Sequence, residues 1–218
     1  MRTTSLGLTG FLTSTAARRA PASLHDQLKR PIDLFVSLVG LTIAGPLVLL
    51  LGGIVKLTSK GPMFYVQERL GLRGKPFRMY KLRTMYADAE AAGPRWCGEN
   101  DPRITPVGRI LRKLHLDELP QLVNVLRGEM TLVGPRPERP CFVDRLKRSI
   151  PLYERRLAVK PGITGLAQIK HHADHSIEDV QTKLGYDLEY MKRACLWLDI
   201  QILALTAVKV VARQGGSA

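Results

Sequence analysis

The chain has 218 residues, 45% of them hydrophobic, and carries 33 Lys and Arg against 19 Asp and Glu, for a net charge of +14. Its length suits one ordinary domain with a real core, and its apolar content excludes a disordered chain. The charge exceeds the ~2–8 usual for a small soluble domain, so the chain is suited to anions: nucleic acid, acidic lipid headgroups or phosphorylated substrates.

Residues 1–24 are rich in Thr, Ser, Ala and Gly, with Arg2, Arg18 and Arg19 and no acid. They lack the apolar run of a secretory signal, and residues 1–28 are expected to form a flexible tail. Residues 34–55, LFVSLVGLTIAGPLVLLLGGIV, hold 22 positions without a charge. A straight helix of that length would reach roughly 33 Å, enough to span a bilayer core. A soluble core helix is rarely apolar on every face for so long, so 29–58 is predicted to be a membrane segment.

Gly45-Pro46 sits at its middle, and proline removes a helix hydrogen bond and bends the helix. Each half would then cover roughly 16 Å, about half the hydrocarbon thickness. Lys29 and Arg30 precede the segment, and Lys56 and Lys60 follow it. Positive charge on both sides fits a hairpin whose ends stay on one face, although a kinked spanning helix remains open.

Residues 56–169 read as a compact mixed α/β region with many turns. The segment 69–83 holds Arg69, Arg73, Lys75, Arg78, Lys81 and Arg83 with no acid. If 77–85 is a strand, Lys81 and Arg83 share a face. Residues 109–127 look helical, with a break near Asp117, and 140–157 and 177–192 are further helix candidates. The end, CLWLDIQILALTAVKVVAR, is interrupted by Asp199, Gln201 and Lys209, which favours an amphipathic interfacial helix over a spanning one. A helix packed on the core is the competing reading.

Asp117-Glu118 is the candidate chemical pair. Leu119, Leu122, Val125 and Leu126 have helical spacing, Asp117 stands where an N-cap would, and Pro120 suits a first turn. The positive end of the helix dipole would keep Asp117 ionised, able to bind Mg²⁺ or to attack phosphorus. A capping Asp beside a solvated Glu is the ordinary alternative, and the basic surroundings argue against it. Arg109, Arg112 and Lys113 lie just upstream, and Arg136 is gripped between Pro135 and Pro137. A fixed Arg fork suits bidentate phosphate binding. KPGITG at 160–165 is a tight turn whose glycines would allow close approach to a ligand. His171, His172 and His175 lack a helical HExxH pattern, and exposed loop histidines fit better than a metal site. Cys97, Cys141 and Cys195 are widely spaced and odd in number, with no CxxC, so neither a disulfide framework nor a structural zinc site is expected.

Together these segments resemble the bacterial sugar transferases, polyprenyl-phosphate phosphoglycosyl transferases of the small monotopic type. The matching pieces are KRPIDLFVS, GPMFYVQERLG, FRMYKLRTM, NDPRITPVGRILRKLHLDELPQLVNVLRGEM, LVGPRPE, VKPGITGLAQ and LWLDIQIL, in family order over about residues 29–212. The resemblance implies a mostly helical α/β fold with a small sheet, an N-terminal re-entrant membrane hairpin broken at Gly45-Pro46, a catalytic domain over residues 59–213, and amphipathic interfacial helices. It implies location on the cytoplasmic face of the bacterial inner membrane, with membrane lipid as a partner and a homodimer left open.

The implied reaction moves a sugar-1-phosphate from a UDP-sugar to undecaprenyl or another polyprenyl phosphate, with UMP released and Asp117 as nucleophile. Asp117 would also hold Mg²⁺, with Glu118 as partner acid. Lys81, Arg83, Arg112, Arg136, Pro137, Thr164 and Gly165 would line the phosphates and substrate. The matched region looks like the minimal catalytic unit, and KHHADHSIEDV at 170–180 matches no known sugar preference. A non-catalytic basic membrane adaptor and a glycosyltransferase that releases UDP are the rival readings. Nucleic acid is disfavoured by an aromatic content of only 6% and the lack of a binding motif.

Overall fold

The computed structural model describes residues 24–91, 93, 95, 97–98, 101–171 and 176–215. The tail expected at 1–28 therefore lies mostly outside the described residues, as do His172 and His175. Its last residues, from Leu24, are already the first turns of helix α1 (Leu24–Thr58).

α1 is helical through both Pro31 and Pro46, so the break expected at Gly45-Pro46 does not divide it into two helices, and Pro46 leaves room only for a bend within it. Its 35 residues reach roughly 52 Å. Within its most apolar window only 11% of residues are buried, unlike a soluble core helix. Phe35, Ile43, Leu49, Leu50 and Leu57 stand exposed. The buried positions Asp33, Ser37, Val48, Gly52 and Val55 form one stripe along nearly its whole length. That stripe rests on the rest of the protein, and the remaining faces are left bare.

The residues before the apolar run anchor this helix. Arg30 donates to the carbonyls of Val125 and Leu126 at 2.6 and 3.0 Å. Asp33 accepts from Thr131 Oγ1 at 2.5 Å and from the Leu132 amide at 3.2 Å. Lys29 Nζ lies 2.5 Å from Asp199, and Tyr190 donates to the same carboxylate at 2.7 Å. Lys29 and Arg30 are thus interior fastenings as well as a positive flank.

Two small sheets carry the middle of the chain. β1 (Phe64–Leu70) and β2 (Pro76–Leu82) form an antiparallel hairpin with Phe64 opposite Leu82 and Leu70 opposite Pro76. β3 (Thr131–Val133) and β4 (Gly162–Thr164) pair in parallel. Between the sheets come α2 (Pro106–Lys113), a 3₁₀ turn over Leu116–Gln121, and α3 (Leu122–Arg127). The break expected near Asp117 is this turn.

α4 (Pro140–Ser149) and a 3₁₀ turn at Tyr153–Ala158 divide the single helix candidate of 140–157. α5 (Leu166–Lys170), α6 (Ile177–Arg193) and α7 (Leu196–Gly215) complete the chain. α6 opens with a capping box, Ser176 and Asp179 each bonding the other's backbone amide. The main core gathers Phe77 and Met79 of β2, Val125 of α3, Val133 of β3 and Tyr190 of α6, with Met130 from the link between α3 and β3.

Candidate active site

The site is assembled on the 3₁₀ turn. α2 starts at an N-cap, Thr105, whose side chain accepts from the Gly108 amide at 2.9 Å, with Pro106 in its first turn. The helix then ends, and His115 takes a left-handed conformation at φ 55°. That reversal, tolerated by histidine better than by a branched residue, turns the chain into Leu116–Gln121. Asp117 and Glu118 therefore sit in the first turn of the 3₁₀ segment. The N-cap position expected for Asp117 belongs to His115, because the preceding helix stops sooner than the apolar spacing suggested.

Asn124, fully buried, locks this turn to the hairpin. Its amide nitrogen donates to the Arg78 carbonyl at 2.7 Å, and its oxygen accepts from the Tyr80 amide at 3.1 Å. β2 is thereby held so that Lys81 Nζ reaches Glu118 Oε1 at 2.6 Å. From the opposite side Arg136 Nη2 reaches the same oxygen at 2.6 Å, and Nη1 reaches Oε2 at 3.4 Å. The Pro-Arg-Pro loop thus presents its fork to Glu118, a carboxylate of the protein itself.

Burial alone would raise the Glu118 carboxyl, but Arg136 and Lys81 together hold it well below the ordinary range. Glu118 in turn raises the Arg136 guanidinium. Burial lowers Lys81, against the pull of Glu118. Asp117 is different. It is only 6% exposed, and burial, joined by repulsion from Glu118, raises its carboxyl against the pull of Lys81, Arg112 and Arg136. The dipole argument for Asp117 thus meets an opposing effect: desolvation raises its carboxyl, on a turn too short to carry much dipole. Three cations surround two carboxylates here, which leaves attraction for an incoming anion.

Other candidates are dispersed. Arg112 Nε donates to Thr84 Oγ1 at 2.8 Å, and its charge reaches Asp117. Arg83 follows β2 and does not share the Lys81 position. It turns to the end of α1, donating to the carbonyls of Pro62 and Ser59 at 2.6 and 2.9 Å. Its placement is that of a buried cap, satisfying carbonyls that a helix end leaves over.

Thr164 bonds Thr206 of α7 at 2.8 Å, and the Pro137 carbonyl accepts from Arg69 at 3.1 Å. Gly165 and Gly162 do allow close approach, but of the chain to itself. A Cβ on Gly165 would lie 2.3 Å from the Gly134 carbonyl oxygen, and one on Gly162 would lie 2.1 Å from the Gly134 nitrogen.

Behind Arg136 lies a charge network that sequence reasoning missed. Arg156 donates to the Arg136 carbonyl at 2.7 Å and pairs with Asp187 at 2.8 Å. Glu138 pairs with Lys183 at 2.8 Å and with Arg69 at 3.6 Å. Burial would raise Glu138, but Lys183, Arg156 and Arg69 depress it to about 2. A depressed carboxyl contributes stability that is present above its ordinary pKa of 4.5 and is lost as pH falls toward 2. Glu138→Gln should therefore cost on the order of 3 kcal/mol at neutral pH and flatten the acid limb of stability. Denaturant unfolding measured from pH 7 down to pH 2 checks this; an unchanged acid limb would contradict it.

A cleft of about 200 Å³ adjoins the pair, with Glu118 and Arg136 in its wall. Thr164, His171 and Lys209 also line it, and Asp117 lies outside its lining. Among the described residues no group of three His, Cys, Asp or Glu is arranged to hold a metal. A single carboxylate such as Asp117 still suits Mg²⁺, which takes most of its ligands from water and substrate phosphates.

The model of the bacterial sugar transferase family matches residues 24–213. The chain is 40% identical over 186 residues to a UDP-N-acetylgalactosamine-undecaprenyl-phosphate N-acetylgalactosaminephosphotransferase of Aeromonas hydrophila, covering 85% of this chain and 44% of that protein. It is 38% identical over 200 residues to a UDP-glucose:undecaprenyl-phosphate glucose-1-phosphate transferase of Caulobacter vibrioides, covering 91% and 75%. An undecaprenyl-phosphate galactose phosphotransferase of Salmonella typhimurium is 42% identical over 206 residues, covering 87% and 41%. The chain thus spans under half the length of the Aeromonas and Salmonella proteins and three-quarters of the Caulobacter one. The family match over nearly all of its length, joined to the Asp117-Glu118 turn and its cations, shows that the chain belongs to the bacterial sugar transferase family.

Proposed function

We propose that the protein transfers a sugar-1-phosphate from a UDP-sugar to a polyprenyl phosphate. The observation that carries this reading is the turn on which Asp117 and Glu118 stand side by side among Lys81, Arg112 and Arg136. Family membership and the names of the relatives support it.

In the first half-reaction an Asp117 oxygen bonds to the β-phosphorus, and the bond to the bridging oxygen breaks. That oxygen leaves with UMP, and the sugar-phosphate stays on Asp117. In the second half an oxygen of polyprenyl phosphate bonds to the same phosphorus and expels the carboxylate. No bond to the sugar carbon changes. The surrounding cations offset the charge that builds on the phosphoryl oxygens. Glu118 holds Lys81 and Arg136 in place between turnovers and yields part of their hydrogen bonding to the phosphates. Mg²⁺ on Asp117 would neutralise the diphosphate.

The protein works at the cytoplasmic face of the inner membrane. α1 is fastened to the catalytic body near its start by Arg30 and Asp33, and near its end by Arg83. A helix tied at both ends to one body on one side of a bilayer cannot cross it. α1 therefore enters one leaflet and returns, using the bend that Pro46 permits. α7 lies in the interface with Trp197, Leu205 and Val208 exposed. Cysteines placed at Leu24 and Lys60, in a background with Cys97, Cys141 and Cys195 replaced by Ser, should both react with an impermeant label only from the cytoplasmic side. Labelling of the two from opposite sides would contradict re-entrance.

The reaction is tested by identifying the nucleotide released when purified protein, Mg²⁺ and undecaprenyl phosphate meet a panel of UDP-sugars. UMP is expected. UDP would indicate transfer of the sugar alone, and no nucleotide from folded protein would favour the adaptor.

A further inference from the structure

The cleft beside Glu118 and Arg136 has walls unlike a nucleotide-sugar site. Apolar atoms make up most of its surface, with Leu119, Leu122, Ile163, Ile169 and Val210 in the lining. Polar side chains reach it too, but Thr164 and Thr206 bond each other, and Gln168 and Lys209 bond the Ile163 and Ile169 carbonyls, so uracil, ribose and sugar hydroxyls would find much of the wall unmatched. A phosphate with a hydrocarbon tail matches both characters of the cleft.

Its place in the fold supports the same ligand. Leu122 Cδ1 lies 3.2 Å from where a Cβ on Gly40 would be, so this wall touches α1 within the first half of its apolar run. The opposite wall comes from α7, through Thr206, Lys209 and Val210. The outer face of that helix leaves Leu205 and Val208 about half exposed or more, at 49% and 62%. The cleft thus lies against α7, with α1 behind its Leu122 wall, and it reaches Glu118 and Arg136. Its volume, about 200 Å³, is below the roughly 300–1,000 Å³ of sites that enclose a drug-sized ligand. It can hold the beginning of a lipid and leave the rest outside.

We propose that this cleft binds the phosphate-proximal isoprene units of the lipid acceptor, delivering its phosphate to Arg136 on the side of Glu118 that faces the cleft. The inference rests on the phosphoglycosyl reading and locates the second substrate. The acceptor reaches the charged pair from between α1 and α7 and keeps its tail in the bilayer. The polar donor approaches from elsewhere, and Asp117, outside the lining of this cleft, stands between the two.

Val210→Trp fills the cleft from the inner side of α7, and Ile169→Trp fills it from α5. Both are assayed as full-length protein in detergent for UMP release without acceptor, for acceptor KM, and for donor KM. The acceptor KM should rise at least ~10-fold, with acceptor-independent UMP release kept. Loss of UMP release from a folded variant would make the cleft a donor site and overturn the proposal, as would an unchanged acceptor KM.

A polyprenyl phosphate carrying a photoreactive group on its first isoprene unit gives a readout that needs no turnover. On the native protein it should label peptides containing Leu122, Ile163 or Val210, and labelling confined to other segments would overturn the proposal. If this label lands as expected while the native protein releases no UMP, the reaction assignment fails and the lipid site stands.

Discussion

Asp117→Asn should abolish sugar-phosphate transfer while leaving the protein at least as stable as before. Asparagine keeps the shape of the side chain but cannot form an acyl phosphate, so both half-reactions stop. Loss of a nucleophile costs roughly four orders of magnitude or more in rate. The stability half follows from electrostatics. Burial raises the Asp117 carboxyl, so the folded protein disfavours its ionised form at neutral pH. A neutral amide relieves that cost.

Glu118→Gln should behave oppositely in stability. Its carboxyl is held well below the ordinary range, so the fold favours its charge, and removing it frees Lys81 and Arg136 from each other's screen. Thermal unfolding of the two variants side by side, with UMP release, separates a chemical carboxylate from a structural one. A marked loss of stability in Asp117→Asn would contradict this division. An adaptor would respond differently again, because neutralising Asp117 would strengthen anion binding.

Gly162→Ala should be among the most damaging single changes outside the carboxylate pair. Its Cβ would stand 2.1 Å from the Gly134 nitrogen and 2.5 Å from the Thr164 carbonyl oxygen, both backbone atoms. Neither can swing aside as a side chain would. The same pairing carries the Gly134 amide to the Thr164 carbonyl at 2.8 Å and the Gly162 amide to the Pro135 carbonyl at 2.9 Å. Relieving the clash means parting β3 from β4, and the loop that carries Arg136 follows directly. A loss of about 3 kcal/mol or more is expected, with activity falling further than stability alone explains. Denaturant unfolding and UMP release measure the two. An alanine variant that folds and turns over normally would contradict this account of the glycine.

Much of the site was legible in the sequence. Asp117-Glu118 beside an apolar helical pattern, with Lys81, Arg112 and Arg136 near in sequence or motif, is brought to one place. The apolar segment was legible because a run is a local property; of the β-hairpin only a strand at 77–85 was anticipated, and β1 was not. What failed was the reading of partners. Lys81 and Arg83 were expected to share a face, but β2 ends at Leu82, and Arg83 answers a helix terminus 24 residues earlier in the chain. The glycines of KPGITG were read as ligand-facing because nothing in the sequence tells one close approach from another.

Asp33, for which the sequence suggested no partner, bonds Thr131, 98 residues away. Glu138 of a loop, Arg156 of a 3₁₀ turn, and Lys183 and Asp187 one turn apart on α6 form their network from segments far apart in sequence. Pairings of that kind are set by packing, and only an isolated charge among apolar neighbours hints at them. Burial is the other hidden quantity. It raises the Asp117 carboxyl against the pull of its cations, a cost that the local dipole argument could not weigh.

The central claim is that Asp117 becomes covalently attached to the sugar-phosphate. Intact-mass measurement of the purified protein, incubated with Mg²⁺ and its productive UDP-sugar but no lipid acceptor, tests it most directly. The account predicts a mass gain of one sugar-phosphate per chain, located at Asp117 by peptide mapping, removed by adding polyprenyl phosphate, and absent in Asp117→Asn. A protein that turns over with lipid yet shows no adduct under these conditions, or carries it on another residue, would contradict the account.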